Sequence, residues 1–292
     1  MITFTQLGSH GRLGNQLFQY AAMKSISLET GYELKIPNIH EASWQNQKCQ
    51  LANFNIKCDI LTGKDLENIR YLFREQDHTR FFREAFECPD NTNFLGYFQN
   101  YNYFSKYEKQ IREEFVLNEE LEDYSENYIS KVRQGNEGIV SIHLRRGDIT
   151  DGTYGDTYSE FYGESGTFDK DSVFGRYLAK GLGFFHEKDV KFLVFTGGTR
   201  QGTEHNQSDV NWCKENLKDF DFNYCEGNTD MQDFAIMKKC DHHICSHMTS
   251  FGYWAAFLNN NPEKKVIAPK SYTVPDDGRT SRGFYPPKWI TL

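Results

Sequence analysis

No stretch of this 292-residue chain approaches the ~20 consecutive apolar residues that span a bilayer. Its opening residues also lack the charged-then-apolar pattern of a secretory signal. Nor is there a basic excess: 33 Lys and Arg stand against 41 Asp and Glu. That balance argues against a general binder of nucleic acid or of a membrane surface. The expectation is a cytoplasmic protein without an integral membrane segment, free or peripheral at the inner face of a membrane. Cysteine pairs at C-x-x-C spacing are missing as well. The seven cysteines, at 49, 58, 88, 213, 225, 240 and 245, are odd in number and lack the spacing of a zinc or redox site. Those from Cys213 onward fall in apolar patterns, where a free thiol packs as a small hydrophobe. No internal repeat or low-complexity linker interrupts the chain, which is long enough for two domains of about 140 residues.

The richest stretch is Ile139-Val140-Ser141-Ile142-His143-Leu144-Arg145-Arg146-Gly147-Asp148-Ile149. Its β-branched alternation reads as a buried strand that delivers His143, Arg145, Arg146 and Asp148 at its carboxyl end. Open α/β sheets place ligands there. Guanidinium groups at such a place suit a phosphate-bearing ligand, because the planar fork binds oxyanions bidentately and keeps its charge. His143 and Arg145, two apart on an extended strand, share a face. Around this stretch the second half alternates strand and helix. Strands are predicted at 138–144, 191–196, 222–225, 242–247 and 265–268, and helices near 171–185, 207–218, 230–240 and 251–259. Such alternation predicts an α/β fold with a parallel sheet and crossover helices.

The first half opens with a predicted strand at 2–7 and a glycine turn at 8–14. A helix follows, with Leu17, Phe18, Ala21, Ala22, Ser25 and Leu28 on one face. Residues 40–100 are polar and Asn-rich, without a clear period. Residues 95–104 supply an aromatic strand and turn, and 105–133 a charged helical connection. The glycines of 134–138 place the domain boundary near residue 134.

Three stretches together resemble the α-1,2-fucosyltransferases of glycosyltransferase family 11, which use GDP-fucose. The first is Gly11-Arg12-Leu13-Gly14-Asn15-Gln16, similar to their N-terminal motif. The second is the His143-x-Arg145-Arg146-x-Asp148 signature. The third is Asp233 to Cys240 followed by Ser250-Phe251-Gly252-Tyr253-Trp254-Ala255-Ala256-Phe257. The resemblance covers nearly the whole chain. It implies a GT-B-like fold, two Rossmann-like domains facing a cleft. Residues 1–134 would form the acceptor-side domain and 135–292 the GDP-fucose-binding domain, with the C-terminal tail packing back. The implied reaction is inverting transfer of L-fucose from GDP-β-L-fucose to a galactose-type hydroxyl of a glycan. GDP-fucose is then a substrate and no cofactor is expected. The rival readings are fucosyl transfer of another linkage, α-1,6 or to protein, and an inactive carbohydrate-binding relative.

The resemblance also implies roles for single residues. Arg145 would hold the pyrophosphate, with Arg146 either assisting or holding a carboxylate, and His143 would contact the nucleotide. Asp233 would read the guanine, with Asp230 a competing assignment. Thr249 or Ser250, with Phe251, would meet the phosphates at a helix start, and a one-residue insertion after Asp233 leaves the choice of hydroxyl open. Arg12, Gly14 and Asn15 would reach the donor from the first domain. Asp148 would either help deprotonate the acceptor hydroxyl or orient the arginines. The Asp-x-Asp pairs at 169–171 and 219–221 follow no apolar strand, so no metal is expected. Thr196-Gly197-Gly198-Thr199 departs from the Ser-Asp-Asp of many bacterial relatives. The segments 151–167 and 200–208 resemble insertions, the former a candidate acceptor loop.

Overall fold

The computed structural model describes residues 1–292 apart from 79, 134, 136, 147–167, 187, 198–206, 248 and 272–282. The chain forms two compact units. Unit 1 is Met1–Asn118 with a C-terminal segment ending at Pro287, and unit 2 runs from Glu119 with Lys288–Leu292.

Unit 1 carries β1 (Ile2–Thr3), α1 (Leu13–Thr30), β2 (Leu34–Ile36), β3 (Ser43–Trp44), β4 (Gln47–Lys48), β5 (Asp59–Ile60), α2 (Gly63–Glu67), β6 (Tyr71–Arg74), β7 (Thr92–Leu95) and α3 (Glu108–Glu114). Five of these strands make one parallel sheet in the order β5-β2-β1-β7-β6. Strand β1 is shorter than predicted. The backbone turns at once after it, with Leu7 N–H on Phe4 O at 3.0 Å and Ser9 N–H on Gln6 O at 2.9 Å. Helix α1 ends where Gly31 takes φ 73°, the left-handed stop that glycine adopts without a Cβ penalty. Leu28, expected on the buried face, is 40% exposed. No residue of α1 beyond Ile26 is buried, so its last turn stands clear of the core.

Unit 2 carries α4 (Glu119–Val132), β8 (Gly138–Arg145), α5 (Val173–Gly183), β9 (Val190–Gly197), α6 (Gln207–Asn216), β10 (Phe222–Tyr224), α7 (Asp230–Lys239), β11 (His242–Ile244), α8 (Ser250–Leu258), β12 (Val266–Ala268) and β13 (Ile290–Thr291). Its sheet is parallel throughout, ordered β10-β9-β8-β11-β12-β13. Counted within the unit this is 3-2-1-4-5-6, the doubly wound order, so its switch point lies between β8 and β11. Ile139, Val140, Ile142 and Leu144 of β8 are buried on both faces of the sheet, as expected of a strand covered by crossover helices.

The division between units falls after Asn118, earlier than the boundary predicted near residue 134. The charged connection splits: α3 stays with unit 1 and α4 joins unit 2. Leu121, Ser125 and Ile129 recur at helical spacing and are the buried residues of α4. Its rim is tied to α7, with Lys238 paired to Glu122 and Lys239 to Glu126. The end of the chain serves both units. Gly283 O accepts from Tyr101 N–H at 2.9 Å in unit 1, while β13 extends the sheet of unit 2. Among the described residues no helix is long and apolar enough to cross a membrane.

Candidate functional site

The switch point of unit 2 gathers most of the residues singled out by sequence. Strand β8 ends with Arg145 in register with Gly197 of β9, and His143 lies two residues earlier, opposite Phe195. His143 is buried, and its Nδ1 has no hydrogen-bond partner among the described residues. Burial, reinforced by the nearby Arg145 guanidinium, lowers its pKa to about 3. The imidazole is therefore neutral at physiological pH, with one ring nitrogen a donor and the other an acceptor. Burying such a nitrogen unpaired costs free energy, and a ligand that supplies the missing bond recovers it.

Helix α8 starts against this histidine. A Cβ built on Gly252 would lie 2.8 Å from His143 Nδ1, so only glycine lets the first turn come this close. The Phe251 ring lies 5.6 Å from His143 and 5.3 Å from Phe234 of α7. An aromatic chain thus joins the second and third sequence motifs, which are about a hundred residues apart. Thr249 is the N-cap, its hydroxyl accepting Gly252 N–H at 3.4 Å, and Ser250 is the first helical residue. The capping role therefore belongs to Thr249, and a nine-residue helix starts here with its positive dipole end at the switch point.

The two arginines part company. Arg146 is buried, its Nε donating to Asp209 Oδ1 at 3.2 Å and its guanidinium lying 3.6 Å from the Trp212 ring centroid. Both partners belong to α6. Arg146 thus holds a carboxylate, one of its two expected roles, and that carboxylate is Asp209. Arg145 is only partly buried, at the end of the strand. Asp148 lies outside the described residues, as do 151–167 and 200–206 of the insertion-like segments.

Asp233 and Asp230 separate just as clearly. Asp230 Oδ1 accepts the N–H of Met231 at 2.9 Å, within its own helix turn. Asp233 is buried. Its Oδ1 accepts from Asn228 Nδ2 at 3.1 Å and Cys225 Sγ at 3.2 Å, and Tyr124 of α4 donates to Asn228 at 2.5 Å. Burial, then the adjacent carboxylate, pushes the Cys225 thiol far up, so it stays a protonated donor. A carboxylate aligned in this way has a defined orientation for reading two adjacent donors.

Two features escaped sequence reasoning. Ser246, two residues past β11, has a fully buried hydroxyl without a partner among the described residues; nothing marks one serine in Cys245-Ser246-His247 as special until β11 is placed beside β8. The other is a buried chain in which Ser141 Oγ and Asn259 Nδ2 each lie 2.8 Å from His243. It has the composition of a nucleophilic triad but the wrong polarity. Asn259 Nδ2 also donates to Cys240 O, which makes His243 Nε2 an acceptor and leaves Nδ1–H to donate to Ser141. The serine cannot lose its proton to this histidine. The chain pins β11 to β8.

In unit 1 the Gly-Arg-Leu-Gly-Asn motif is a cross-braced turn. Gly11 takes φ 95° where a Cβ would strike Asn15, and Arg12 is the extended residue before α1. Gly14 is buried in the first turn of α1. Asn15 Oδ1 accepts Gln99 Nε2 at 2.6 Å, Gln16 Nε2 donates to Gly11 O at 2.9 Å, and Gln19 Nε2 reaches His10 O and Gly96 O. All seven cysteines are free. Among the described residues no group of three or more His, Cys, Asp or Glu gathers as a metal site.

The chain is 26% identical over 302 residues to galactoside alpha-(1,2)-fucosyltransferase 1 of Rattus norvegicus, covering 97% of this chain and 71% of that protein. It is 25% identical over 315 residues to an alpha-1,2-colitosyltransferase of Escherichia coli, covering 97% and 96%. Two solved structures share the fold. POFUT1 in complex with GDP gives a TM-score of 0.52 at 12% identity, over 91% of this chain and 97% of that one. NodZ alpha-1,6-fucosyltransferase soaked with GDP-fucose also gives 0.52, at 13% identity, over 88% and 91%. The fold is thus α/β and GT-B-like. The model of the family named glycosyl transferase family 11 matches residues 2–292, and the chain belongs to that family.

Proposed function

We propose that this chain is a galactoside α-1,2-fucosyltransferase, moving L-fucose with inversion from GDP-β-L-fucose to a galactose-type hydroxyl of a glycan. One observation carries the reading. At the switch point of unit 2, Arg145 and the start of α8 stand beside His143, whose neutral ring has a buried nitrogen with no partner among the described residues. Transfer breaks the bond between the anomeric carbon and a β-phosphate oxygen, so the sugar becomes oxocarbenium-like while negative charge collects on GDP. Arg145 and the α8 N–H groups supply fixed positive charge where that charge develops. This chemistry asks for no metal and no cofactor, so turnover survives EDTA. Asp233, aligned by Asn228 and Cys225, accepts the paired guanine donors. Phe251 packs beside His143 near the nucleotide, and Thr249 and Ser250 set the helix start at the phosphates. Arg12, Gly14 and Asn15 serve the donor from unit 1. Asp148 either assists deprotonation of the acceptor or orients Arg145. Unit 1 acts on the acceptor side and unit 2 on the donor side, in a cytoplasmic protein that requires no nucleic acid.

GDP should raise the melting temperature and UDP should not, because uracil leaves the Asp233 carboxylate without its two donors. Equal shifts with the two nucleotides overturn the reading. Because the Escherichia coli relative is a colitosyltransferase, a colitosyl donor is the one to compete against GDP-fucose, with lactose and N-acetyllactosamine as acceptors.

A further inference from the structure

Unit 1 has a switch point of its own. Leaving the β3–β4 hairpin aside, its strand order β5-β2-β1-β7-β6 reverses between β1 and β7, and the loops leaving these two strands meet there. From the β1 loop comes His10, stacked on Tyr97 of the β7 loop at 4.6 Å and 19°. Trp44 meets His10 edge-on at 6.0 Å and 70°. All three rings are only half-buried.

The arrangement is built rather than incidental. Trp44 precedes a two-residue turn whose Gln45 and Asn46 take φ 48° and 65°. Both are left-handed, as a tight hairpin turn of this type needs, and Gln45 is an unusual residue to hold there. Gly8, at φ 81°, lets the β1 loop press on this hairpin; a Cβ there would come within 2.8 Å of Ala42 and Cys49. Across the platform, Gly96 takes φ 158° with Glu75 tucked beneath it, and Glu75 Oε2 accepts the N–H groups of Tyr97 at 2.7 Å and Phe98 at 2.9 Å. Phe98 itself holds φ 54°. Backbone strain kept at one place and braced by its surroundings is a mark of a functional site.

The polar atoms say what kind of ligand fits. Among the described residues, Gln99 Oε1 is buried without a partner, and Glu75, beyond its two backbone N–H partners, has only the Tyr103 hydroxyl. Both are acceptors, and the Gln99 amide cannot simply turn over because its Nε2 is committed to Asn15. A phosphate would meet oxygen with oxygen. A pyranose offers hydroxyl donors to the two oxygens and a C–H face to the electron-rich faces of the rings. Burial raises the Glu75 carboxyl to about 7, against the lowering effect of the Phe98 and Tyr97 N–H groups and the Tyr103 hydroxyl.

We infer that His10, Trp44 and Tyr97, with Glu75 and Gln99, form a subsite for a galactose-type pyranose of the acceptor. The inference rests on the transfer reading above but is tested apart from it. Lactose and methyl β-galactoside should give saturation-transfer NMR signals with the full chain in the absence of any nucleotide, and Trp44→Ala should abolish them. In turnover, Trp44→Ala should raise the acceptor KM at least ~10-fold. Glu75→Gln, which keeps an acceptor for the backbone N–H groups but turns the other oxygen into a donor, should do the same. Both variants should keep the wild-type thermal shift with GDP and the slow hydrolysis of GDP-fucose. Wild-type protein that gives no signal with either sugar overturns the subsite. So does an unchanged acceptor KM in both variants while GDP still stabilises them. Sugar signals that depend on Trp44, in a chain that ignores GDP, keep the subsite and sink the transfer reading instead.

Discussion

Arg145 and Arg146 are neighbours in sequence but stand in different surroundings, and their substitution should show it. Arg146 packs on Trp212 and pairs with Asp209, the two side chains being 10% and 6% exposed. Removing the guanidinium strands a carboxylate in a site that water hardly reaches, a change that costs about 3–5 kcal/mol. For a unit of this size each kcal/mol lowers the melting temperature by about 2–4 °C, so Arg146→Ala should melt about 6–20 °C lower. Arg146→Met combined with Asp209→Leu should recover most of that loss, since replacing both members of a buried pair with apolar groups is often neutral. Arg145→Lys should behave in the opposite way. It keeps one positive charge at the strand end but loses the bidentate fork, so turnover should fall at least ~100-fold, equal to ~2.7 kcal/mol of barrier. Its melting temperature should stay within about 2 °C of wild type, a shift of under ~1 kcal/mol. Thermal melts of the apo protein and initial rates with saturating donor measure the two effects separately. A stable but inactive Arg146→Ala, alongside an active or unfolded Arg145→Lys, would refute the division of labour.

Gly252→Ala should weaken GDP binding. Alanine normally favours a helix interior by about 1 kcal/mol over glycine, but here its Cβ meets His143 at 2.8 Å, so a smaller GDP thermal shift is expected, and an undiminished one would show that the contact is unimportant. Acid should destabilise unit 2 early. His143 and His247 are lowered to about 3 and His243 well below its usual value, all chiefly by burial. Each is neutral when folded and binds a proton only when unfolded, so stability is complete above pH 6.5 and falls as pH drops from there toward 3. At pH 5 His143 and His247 each contribute about 2 kcal/mol of loss. Circular dichroism melts from pH 7.5 to 4.5 should show this decline, and His247→Gln should flatten it, whereas a flat wild-type profile would mean the rings are not buried neutral.

Much of unit 2 was legible because its signals are local. The apolar run Ile139–Leu144 is a strand in any context that covers both its faces, and the predicted helices and strands of residues 171–268 match the observed ones to within a few residues. The site could be located to the end of β8 because strand order, once parallel, leaves few places for a ligand. In residues 40–100 the local signal fails: β5 is two residues long and exposed, and Tyr71 and Leu72 of β6 lie open on the sheet edge. Neither carries the alternation that burial imposes. The domain boundary was misplaced for a similar reason, since the apolar face of α4 does not reveal which unit it covers.

The residue types and their order already determined an α/β chain with a basic strand end suited to a phosphate-bearing ligand. Only the tertiary structure decided which arginine is committed to Asp209, which hydroxyl caps α8, which aspartate Cys225 and Asn228 hold, and that Ser246 and Gln99 keep oxygens without a partner among the described residues. The cause is distance along the chain. Asn15 and Gln99 are 84 residues apart, and Arg146 and Asp209 are 63 apart. No local preference encodes such a pairing; it appears when parallel strands stack their carboxyl ends side by side and crossover helices close over them.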